Sequence, residues 1–234
     1  MKFTIAPQIF EKFPSTTIGL IHVTGADNHN DSRTEAELLR GEETRLRAMM
    51  KKDDITNLPA ISAWRETFRA FGVKPGDARS SIESLLRSVL SDRDIRRINP
   101  LVDLYNYISL RYLLPVGGED LSQINGDVHL CFAGENEPAI LLLGDETPVA
   151  PLPCEVIYKD DEGAICRRWN WREADRTKLT PGTTECILVI ERVAPVERSI
   201  LESALTELSD SANRLLGAQC KSFILDHQNP EASW

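Results

Sequence analysis

Residues 99–107 read Asn99-Pro100-Leu101-Val102-Asp103-Leu104-Tyr105-Asn106-Tyr107, and this stretch decides how the fold is interpreted. Asn is a preferred N-cap residue and Pro is favoured at the first helical position, so a helix is predicted to begin here. The residues from there to Leu114 are apolar on more than one face, which is typical of a buried helix.

Two polar side chains interrupt this apolar helix. Asp103 and Asn106 are three residues apart and therefore share a face. Buried polar groups need hydrogen-bond partners, which leaves two interpretations. Either both side chains bond to neighbouring backbone and fix the helix against a sheet, or they form the polar floor of a pocket in which the amide of Asn106 meets a ligand.

Other helices are predicted on both sides of this stretch. Upstream, residues 58–71 carry apolar side chains at helical spacing and end at a turn over 74–76. Capping boxes at 32–35 and 80–83 open two more helices, the first of them charged and running to about residue 52. Downstream, an amphipathic helix is predicted over 196–216, where Gly217 ends it.

Strands are predicted from short apolar or β-branched runs bounded by turn residues. Two lie near the start, over 3–5 and 18–23, and residues 115–120 are predicted to form a turn. Later strands are predicted over 128–132, 140–143, 155–158, 164–169, 185–191 and, at an edge, 223–225, whereas 228–234 is expected to fray. The sequence predicts one α+β domain over residues 1–234, with a mixed or antiparallel sheet or a Greek-key-like barrel and with packed and inserted helices.

The composition limits the classes of function. Lys and Arg number 27 against 36 Asp and Glu, for a net charge of −9, which disfavours a general nucleic-acid binder and any DNA partner. Contact with RNA is therefore predicted to be local, at Arg93, Arg96 and Arg97. The apolar runs are too short to span a bilayer and no signal peptide is recognised, so we expect a cytoplasmic protein without membrane contact.

Catalytic and metal-binding motifs are scarce. The five cysteines are widely spaced without a C-x-x-C pair, which predicts reduced thiols, no disulfide framework and no metal site. No motif of a serine or cysteine nucleophile is found, and no phosphate-binding sequence surrounds Gly117 and Gly118. We therefore expect no cofactor, and a hydrolase with this sequence has to position water.

Three motifs carry a resemblance to a known family: Val102-Asp103-x-x-Asn106-Tyr107, the stretch from Pro115 to Asp120, and residues 64–75. Together they resemble the B3/B4 editing domain of the bacterial phenylalanyl-tRNA synthetase β chain. The resemblance covers about residues 55–191, with 1–54 and 196–217 as additions to the same domain. It implies a pocket that accepts a tyrosine hydroxyl and hydrolyses tyrosine wrongly esterified to the phenylalanine tRNA.

The chain departs from the family pattern at two places. Gly117 stands where the family's Pro-x-His-Ala-Phe-Asp motif has its histidine. Residues 166–173 stand where the family has a glycine-rich loop that ends in a pocket glutamate, and Glu173 matches that glutamate. The resemblance therefore implies the same architecture around a differently shaped pocket.

The Arg-Trp segment within residues 166–173 admits two interpretations. If it is extended, Arg168, Asn170 and Arg172 line one face, while Trp169 and Trp171 line the other. The cationic face then suits a carboxylate or phosphate, and an indole can stack on a base. In the alternative, the tryptophans belong to the core and the arginines pair with carboxylates such as those of Glu155, Asp160 or Asp175.

The leading hypothesis is a stand-alone domain that hydrolyses the ester of a mischarged tRNA in trans. The predicted catalytic residues are Asn106, Glu173 and Thr184. The predicted substrate-binding residues are Asp103, Gly117, Gly118, Arg168, Trp169, Asn170 and Arg172. The partner is then the aminoacyl end of tRNA or an amino-acid-like small molecule. Two alternatives remain: a non-catalytic module that binds tRNA or an amino acid, and a hydrolase of a small amide or ester anchored by the two arginines.

Overall fold

A computed structural model describes residues 1–29, 33–74 and 76–234, and six α-helices occur in these ranges. They are α1 (Pro7–Lys12), α2 (Arg33–Met49), α3 (Pro59–Ala70), α4 (Ser81–Val89), α5 (Pro100–Tyr112) and α6 (Arg198–Leu216). Short 3-10 helices cover Lys52–Asn57 and Leu121–Gln123. No helix in the described ranges has the length and apolar character needed to cross a bilayer.

The strands of the described residues form two sheets. They are β1 (Lys2–Ile5), β2 (Thr17–Thr24), β3 (Val116–Asp120), β4 (Val128–Phe132), β5 (Val156–Lys159), β6 (Ala164–Arg167), β7 (Arg172–Glu173), β8 (Glu185–Arg192), β9 (Gln219–Leu225) and β10 (Glu231–Ser233). The six-stranded sheet has the order β10-β1-β4-β5-β6-β7, in which β1 and β4 are parallel and the other pairs antiparallel. The four-stranded sheet, with the order β3-β8-β2-β9, is antiparallel throughout. The predicted α+β class with mixed and antiparallel sheets is confirmed.

The centre of the four-stranded sheet is buried on both faces, whereas its edge strand β9 is partly exposed. Its strands β2 and β8 are almost continuous apolar runs, as expected of strands without a solvent-facing side. Side chains such as Leu188 and Ile190 pack against the layer of helices, whereas Ile187 and Val189 pack against the six-stranded sheet. The domain is therefore layered as sheet, sheet and helices, with one apolar core on each side of the four-stranded sheet.

The helix α5 begins where the sequence predicts. The side chain of Asn99 accepts a hydrogen bond from the Val102 amide at 3.1 Å and donates one to the Leu179 carbonyl at 3.0 Å. The Asn28 side chain accepts from the Leu101 amide at 2.8 Å. These bonds satisfy amides of the first turn and tie α5 to two distant loops.

Several local predictions were wrong. Residues 115–120, predicted as a turn, contain β3, and 140–143 forms no strand but only isolated bridges to Val149 and Ala174. The last residues do not fray, because β10 pairs with the free edge of β1. The helix α1 was missed, although Pro7 occupies its first turn. The predicted capping box at 32–35 and the turn at 74–76 extend outside the described residues.

Candidate functional site

A cavity of about 350 Å³ lies between the two sheets and is closed partly by α4 and α5. Because side chains alternate along a strand, one face of β3 and β8 supplies Gly117, Glu119, Ile187, Val189 and Glu191 to its wall. The six-stranded sheet supplies residues from β1, β4, β5, β6 and β7. The cavity is mostly apolar, with a few polar groups that converge on it, as is usual for small-molecule sites.

The carboxyl group of Glu173 fills the space beside Gly117. A Cβ atom at position 117 would lie 2.6 Å from Glu173 Oε1, so a side chain there is excluded while Glu173 keeps its place. The backbone N–H of Gly118 donates a hydrogen bond to the Glu173 carboxylate. Gly118 is also required for packing, since a Cβ would meet Leu188 Cδ2 at 2.7 Å. The absence of a side chain at Gly117 thus leaves the space that the carboxyl group of Glu173 occupies.

Three glutamate carboxyl groups line the cavity. Burial raises the pKa of Glu173 to about 7, against the hydrogen bond from Gly118. Burial also raises the pKa of Glu191 to about 7, although Tyr158 and Asn170 donate hydrogen bonds that favour its charged form. Burial and the charge of Glu173 hold the pKa of Glu119 well above its usual range. Near neutral pH the three groups therefore carry fewer than three negative charges.

Besides the hydroxyl of Ser81, two buried carboxyl or amide oxygens at this wall have no hydrogen-bond partner among the described residues. They are Glu119 Oε2 and Asn170 Oδ1, on side chains that are 6% and 8% exposed. The hydroxyl of Thr177 lies near Glu119 but outside hydrogen-bond geometry. The amide of Asn170 is oriented by its other end, because Nδ2 donates to Glu191 Oε2 at 2.5 Å. Unsatisfied acceptors in a cavity are the groups to which a ligand can donate.

The helix α5 contributes Tyr105 and Asn106 to the cavity. Burial and the carboxylates of Glu173 and Glu119 raise the pKa of Tyr105 well above its usual range, so its phenol is neutral and can donate. Asp103 lies elsewhere: it is fully buried and accepts from Arg97 Nε at 3.0 Å and from the Ile98 amide at 3.2 Å. Of the two polar side chains predicted to share a face, Asn106 lines the cavity and Asp103 fixes the helix.

The Arg-Trp segment is a turn and not an extended strand. The backbone φ angles of Arg168 and Trp169 are 48° and 67°, in the left-handed region, which ends β6 and destroys the predicted alternation. The turn is held by Glu155, which accepts from the Arg167 guanidinium at 2.9 and 2.7 Å and from the Arg168 amide at 3.0 Å. A contact between segments 12 residues apart therefore decides the conformation.

The two tryptophans of this turn differ in surroundings. Trp169 is fully buried, lines the cavity and packs edge-on against Trp64, with ring centres 5.2 Å apart. Trp171 is half-buried, with the Arg168 and Arg172 guanidinium carbons 4.4 and 5.6 Å from its ring centre. Arg172 also donates to the Asp145 carboxylate at 2.7 and 3.0 Å. The arginines stack on Trp171 and bond to protein groups, so they do not form the predicted unpaired cationic face.

Comparison with known proteins agrees with this architecture. The model of the family described as B3/4 domain matches residues 63–215. The chain belongs to the B3/4 domain family.

Similarity to individual proteins covers shorter stretches. The chain is 34% identical over 89 residues to the phenylalanine–tRNA ligase beta subunit of Methylococcus capsulatus, and 30% identical over 90 residues to that of Photorhabdus laumondii. Each stretch is 38% of this chain but 11% of the relative, so the B3/4 chain spans about a tenth of the length of these subunits. A crystal structure of an N-terminal fragment of the phenylalanyl-tRNA synthetase beta-subunit from Pyrococcus horikoshii superposes with a TM-score of 0.49 and 10% identity, over 95% of this chain and 53% of that one.

The B3/4 cavity brings together most, but not all, of the predicted site residues. Those that line it are Asn106, Gly117, Gly118, Trp169, Asn170, Arg172 and Glu173. Arg168 contacts the cavity wall through Trp171. Thr184 is exposed and lies in a separate surface depression beside His22 and Trp234. Its neighbour Thr183 is engaged in turn bonds to Thr180 and Asp120.

The predicted RNA-binding arginines lie in the loop between α4 and α5. Arg93 and Arg96 are exposed, and the same loop carries the exposed Asp92 and Asp94. Arg97 is bound to Asp103. A role of this loop in RNA binding stays a prediction.

Three residues of the site were missed by the sequence analysis: Tyr105, Glu119 and Glu191. A signal for Glu191 was present, because it follows Ile187 and Val189 at two-residue steps in β8 and so shares their face. A glutamate inside an apolar alternation is a candidate buried carboxyl group. Glu119 gave no such signal, since its strand VGGED was not recognised as a strand.

Proposed function

We propose that this B3/4 domain protein hydrolyses the ester bond between an amino acid and tRNA, acting on tRNA charged by another protein. The observation that carries the proposal is Glu173, a carboxyl group with a pKa raised by burial to about 7 in the wall of the cavity between the two sheets. Near neutral pH such a group is present in both protonation states, as suits a general base. The relatives of this chain are phenylalanine–tRNA ligase beta subunits, which suggests tRNA as the carrier of the ester.

The chemistry assigned to the cavity needs no covalent intermediate. Glu173 accepts a proton from the attacking water and returns it to the ribose oxygen as the ester bond breaks, while the amide of Asn106 and the hydroxyl of Tyr105 donate hydrogen bonds to the carbonyl oxygen of the ester. The cavity also contains Cys166, but burial and the nearby carboxylates raise the pKa of its thiol well above the usual range. A neutral, buried thiol is a poor nucleophile, which favours direct attack by water.

The direct test is deacylation of tRNA without ATP. We expect the purified protein to release an amino acid from at least one member of a panel of mischarged tRNAs faster than buffer does. Glu173→Gln and Asn106→Ala should each lower the rate constant by about 100-fold, as expected of a general base and of a donor to a developing oxyanion. Glu202→Gln, which alters an exposed carboxylate on α6, is the matched control and should retain the full rate.

Three outcomes would contradict the proposal in whole or in part. Release at the buffer rate for every ester in the panel would remove the hydrolytic function. Tight binding of tRNA or of an amino acid without turnover would instead favour a binding module. A full rate in Glu173→Gln would leave the hydrolysis but assign it to another site.

A further inference from the structure

The charges in the cavity wall are strongly asymmetric. Three carboxyl groups line it, those of Glu119, Glu173 and Glu191. Among the described residues that line the cavity, Arg172 is the one cationic side chain, and its guanidinium bonds to Asp145 and to the Leu143 carbonyl. A carboxylate or phosphate inside this cavity would therefore face acceptors and negative charge.

The unsatisfied atoms of the wall favour a ligand that donates hydrogen bonds. Glu119 Oε2 and Asn170 Oδ1 are buried acceptors without a partner among the described residues, and the unpartnered hydroxyl of Ser81 can accept as well as donate. The carboxylate of Glu173 accepts a hydrogen bond from the Gly118 N–H and can accept further hydrogen bonds. The unpartnered Trp169 Nε1 is a donor. It lies near the carboxyl group of Glu191 and the hydroxyl group of Tyr158, which are acceptors of the protein itself. An ammonium group, with three donors and a positive charge, complements these acceptors.

The rest of the wall requires an apolar body. Side chains from both sheets and from α4 surround the remaining space, namely those of Phe3, Leu85, Val128, Ile165, Ile187 and Val189. A hydrocarbon stem gains free energy by leaving water for such a surface. The wall is thus complementary to an apolar stem that ends in a cation.

We propose that the cavity binds a ligand with a primary ammonium group on an apolar stem, and that the ammonium donates to the neighbouring carboxyl groups of Glu119 and Glu173. The claim that this ligand is an ester substrate rests on the proposed function. The claim that the cavity binds a cation does not. It replaces the expectation that Arg168 and Arg172 anchor a carboxylate. The ammonium of an aminoacyl ester has two sources, the α-amino group and the side chain of a basic amino acid.

Binding of a cation should be linked to proton release. The groups around Glu119 and Glu173 are Glu191, Tyr105, Cys166, Asp160 and Arg176. Below pH 7 the carboxyl of Glu173 is mostly protonated, because burial raises its pKa to about 7, and an arriving ammonium has to displace that proton. Affinity for the cation therefore rises as the pH increases from about 6 to 8.

The cation site is tested with hexylamine, hexanol and hexanoate, which share one stem and differ in the end group. Calorimetry at pH 8 should give hexylamine an affinity at least about 10-fold above that of both others, the value of one additional charge-assisted hydrogen bond. At pH 7, titrations in two buffers with different ionisation heats should show proton release with hexylamine and none with hexanol. Equal binding of amine and alcohol, tighter binding of hexanoate, or no binding of any probe overturns the proposal.

A variant of Glu119 tests whether the preference for hexylamine arises from this carboxyl group of the cavity wall. Glu119→Gln keeps the shape of the side chain and should weaken hexylamine by about 10-fold while leaving hexanol unchanged. Glu202→Gln on α6 is the control and should bind like the unmodified protein. Selectivity in the unmodified protein is measured independently, so the test stands even if Glu119→Gln fails to fold. Unchanged hexylamine affinity in a folded Glu119→Gln would overturn the assignment.

Deacylation assays separate this proposal from the proposed function and identify the source of the ammonium. If hexylamine is selected but no charged tRNA is hydrolysed, the cation site stands and the esterase fails. If esters are hydrolysed but the amine is not selected, the esterase stands and the cation site fails. With both positive, faster release from lysyl-tRNA than from leucyl-tRNA assigns the ammonium to the side chain, and equal release assigns it to the α-amino group.

Discussion

The close approach of Gly117 to Glu173 permits a quantitative test of how the cavity is built. In Gly117→Ala the new Cβ would lie 2.6 Å from Glu173 Oε1, whereas ordinary contact requires about 3.5 Å. The carboxyl must therefore retreat by about 1 Å, which weakens its hydrogen bond from the Gly118 N–H. Overpacking costs about 1–3 kcal/mol, and weakening the hydrogen bond without breaking it adds less than about 1 kcal/mol, so we expect the free energy of unfolding to fall by about 2–3 kcal/mol.

The measurement is urea unfolding at pH 7, followed by circular dichroism. Gly41→Ala is the control, because nothing lies within 4 Å of the added atom in the middle of α2, and it should be neutral or stabilise by about 0.5–1 kcal/mol. The cause is isolated by a double-mutant cycle with Glu173→Ala, which removes the opposing oxygen. If Gly117→Ala costs as much in the Glu173→Ala background as alone, the steric explanation is refuted.

Three further changes test the folded structure. Burial raises the pKa of Glu191 to about 7, so the contribution of its protonated form to stability is full below about pH 4 and is lost as the pH rises through 7. The free energy of unfolding should therefore fall between these pH values, and Glu191→Gln should make that dependence on pH less steep. Glu155→Ala strands the buried guanidinium of Arg167 and should cost about 3–5 kcal/mol in urea unfolding, against less than about 0.5 kcal/mol for the exposed Glu162→Ala. Asn99→Ala removes the N-cap of α5 and should cost about 1 kcal/mol, or about 2–4 °C in the melting temperature, and an unchanged melting temperature would contradict the capping role.

The parts of the fold that depend on local chemistry were predictable from the sequence. The start of α5 was predicted because Asn99 and Pro100 act within one turn, and the apolar run that follows requires burial wherever the helix packs. The start of α4 at Ser80 was predicted for the same reason, since its side chain accepts from the Glu83 amide. The strand β8 was predicted because residues 186–190 form an apolar run of five residues, three of them β-branched, which is typical of a buried strand.

The parts that failed depend on contacts between distant segments. The turn at 168–171 exists because Glu155 binds Arg167; the sequence named Glu155 as one of three possible partners of the arginines, but nothing in the segment itself predicted a turn. The strand β10 forms because β1 offers a free edge more than 220 residues away. The strand β3 was concealed by Gly117, whose lack of a side chain is explained only by the position of Glu173. The same limitation concealed Glu119 as a member of the site.

The surroundings of Trp169 give the domain an intrinsic optical probe. This indole is fully buried, lines the cavity and lies close to Trp64 and to the carboxyl of Glu191. Trp171, the third of the four tryptophans, also lines the cavity, and Trp234 lies apart beside His22. Occupation of the cavity, or a change in the protonation of its glutamates, therefore alters the emission of most of the fluorophores at once. Entry of an unlabelled compound can be followed in real time on the unmodified chain, so that compounds can be screened for binding whatever reaction the cavity performs.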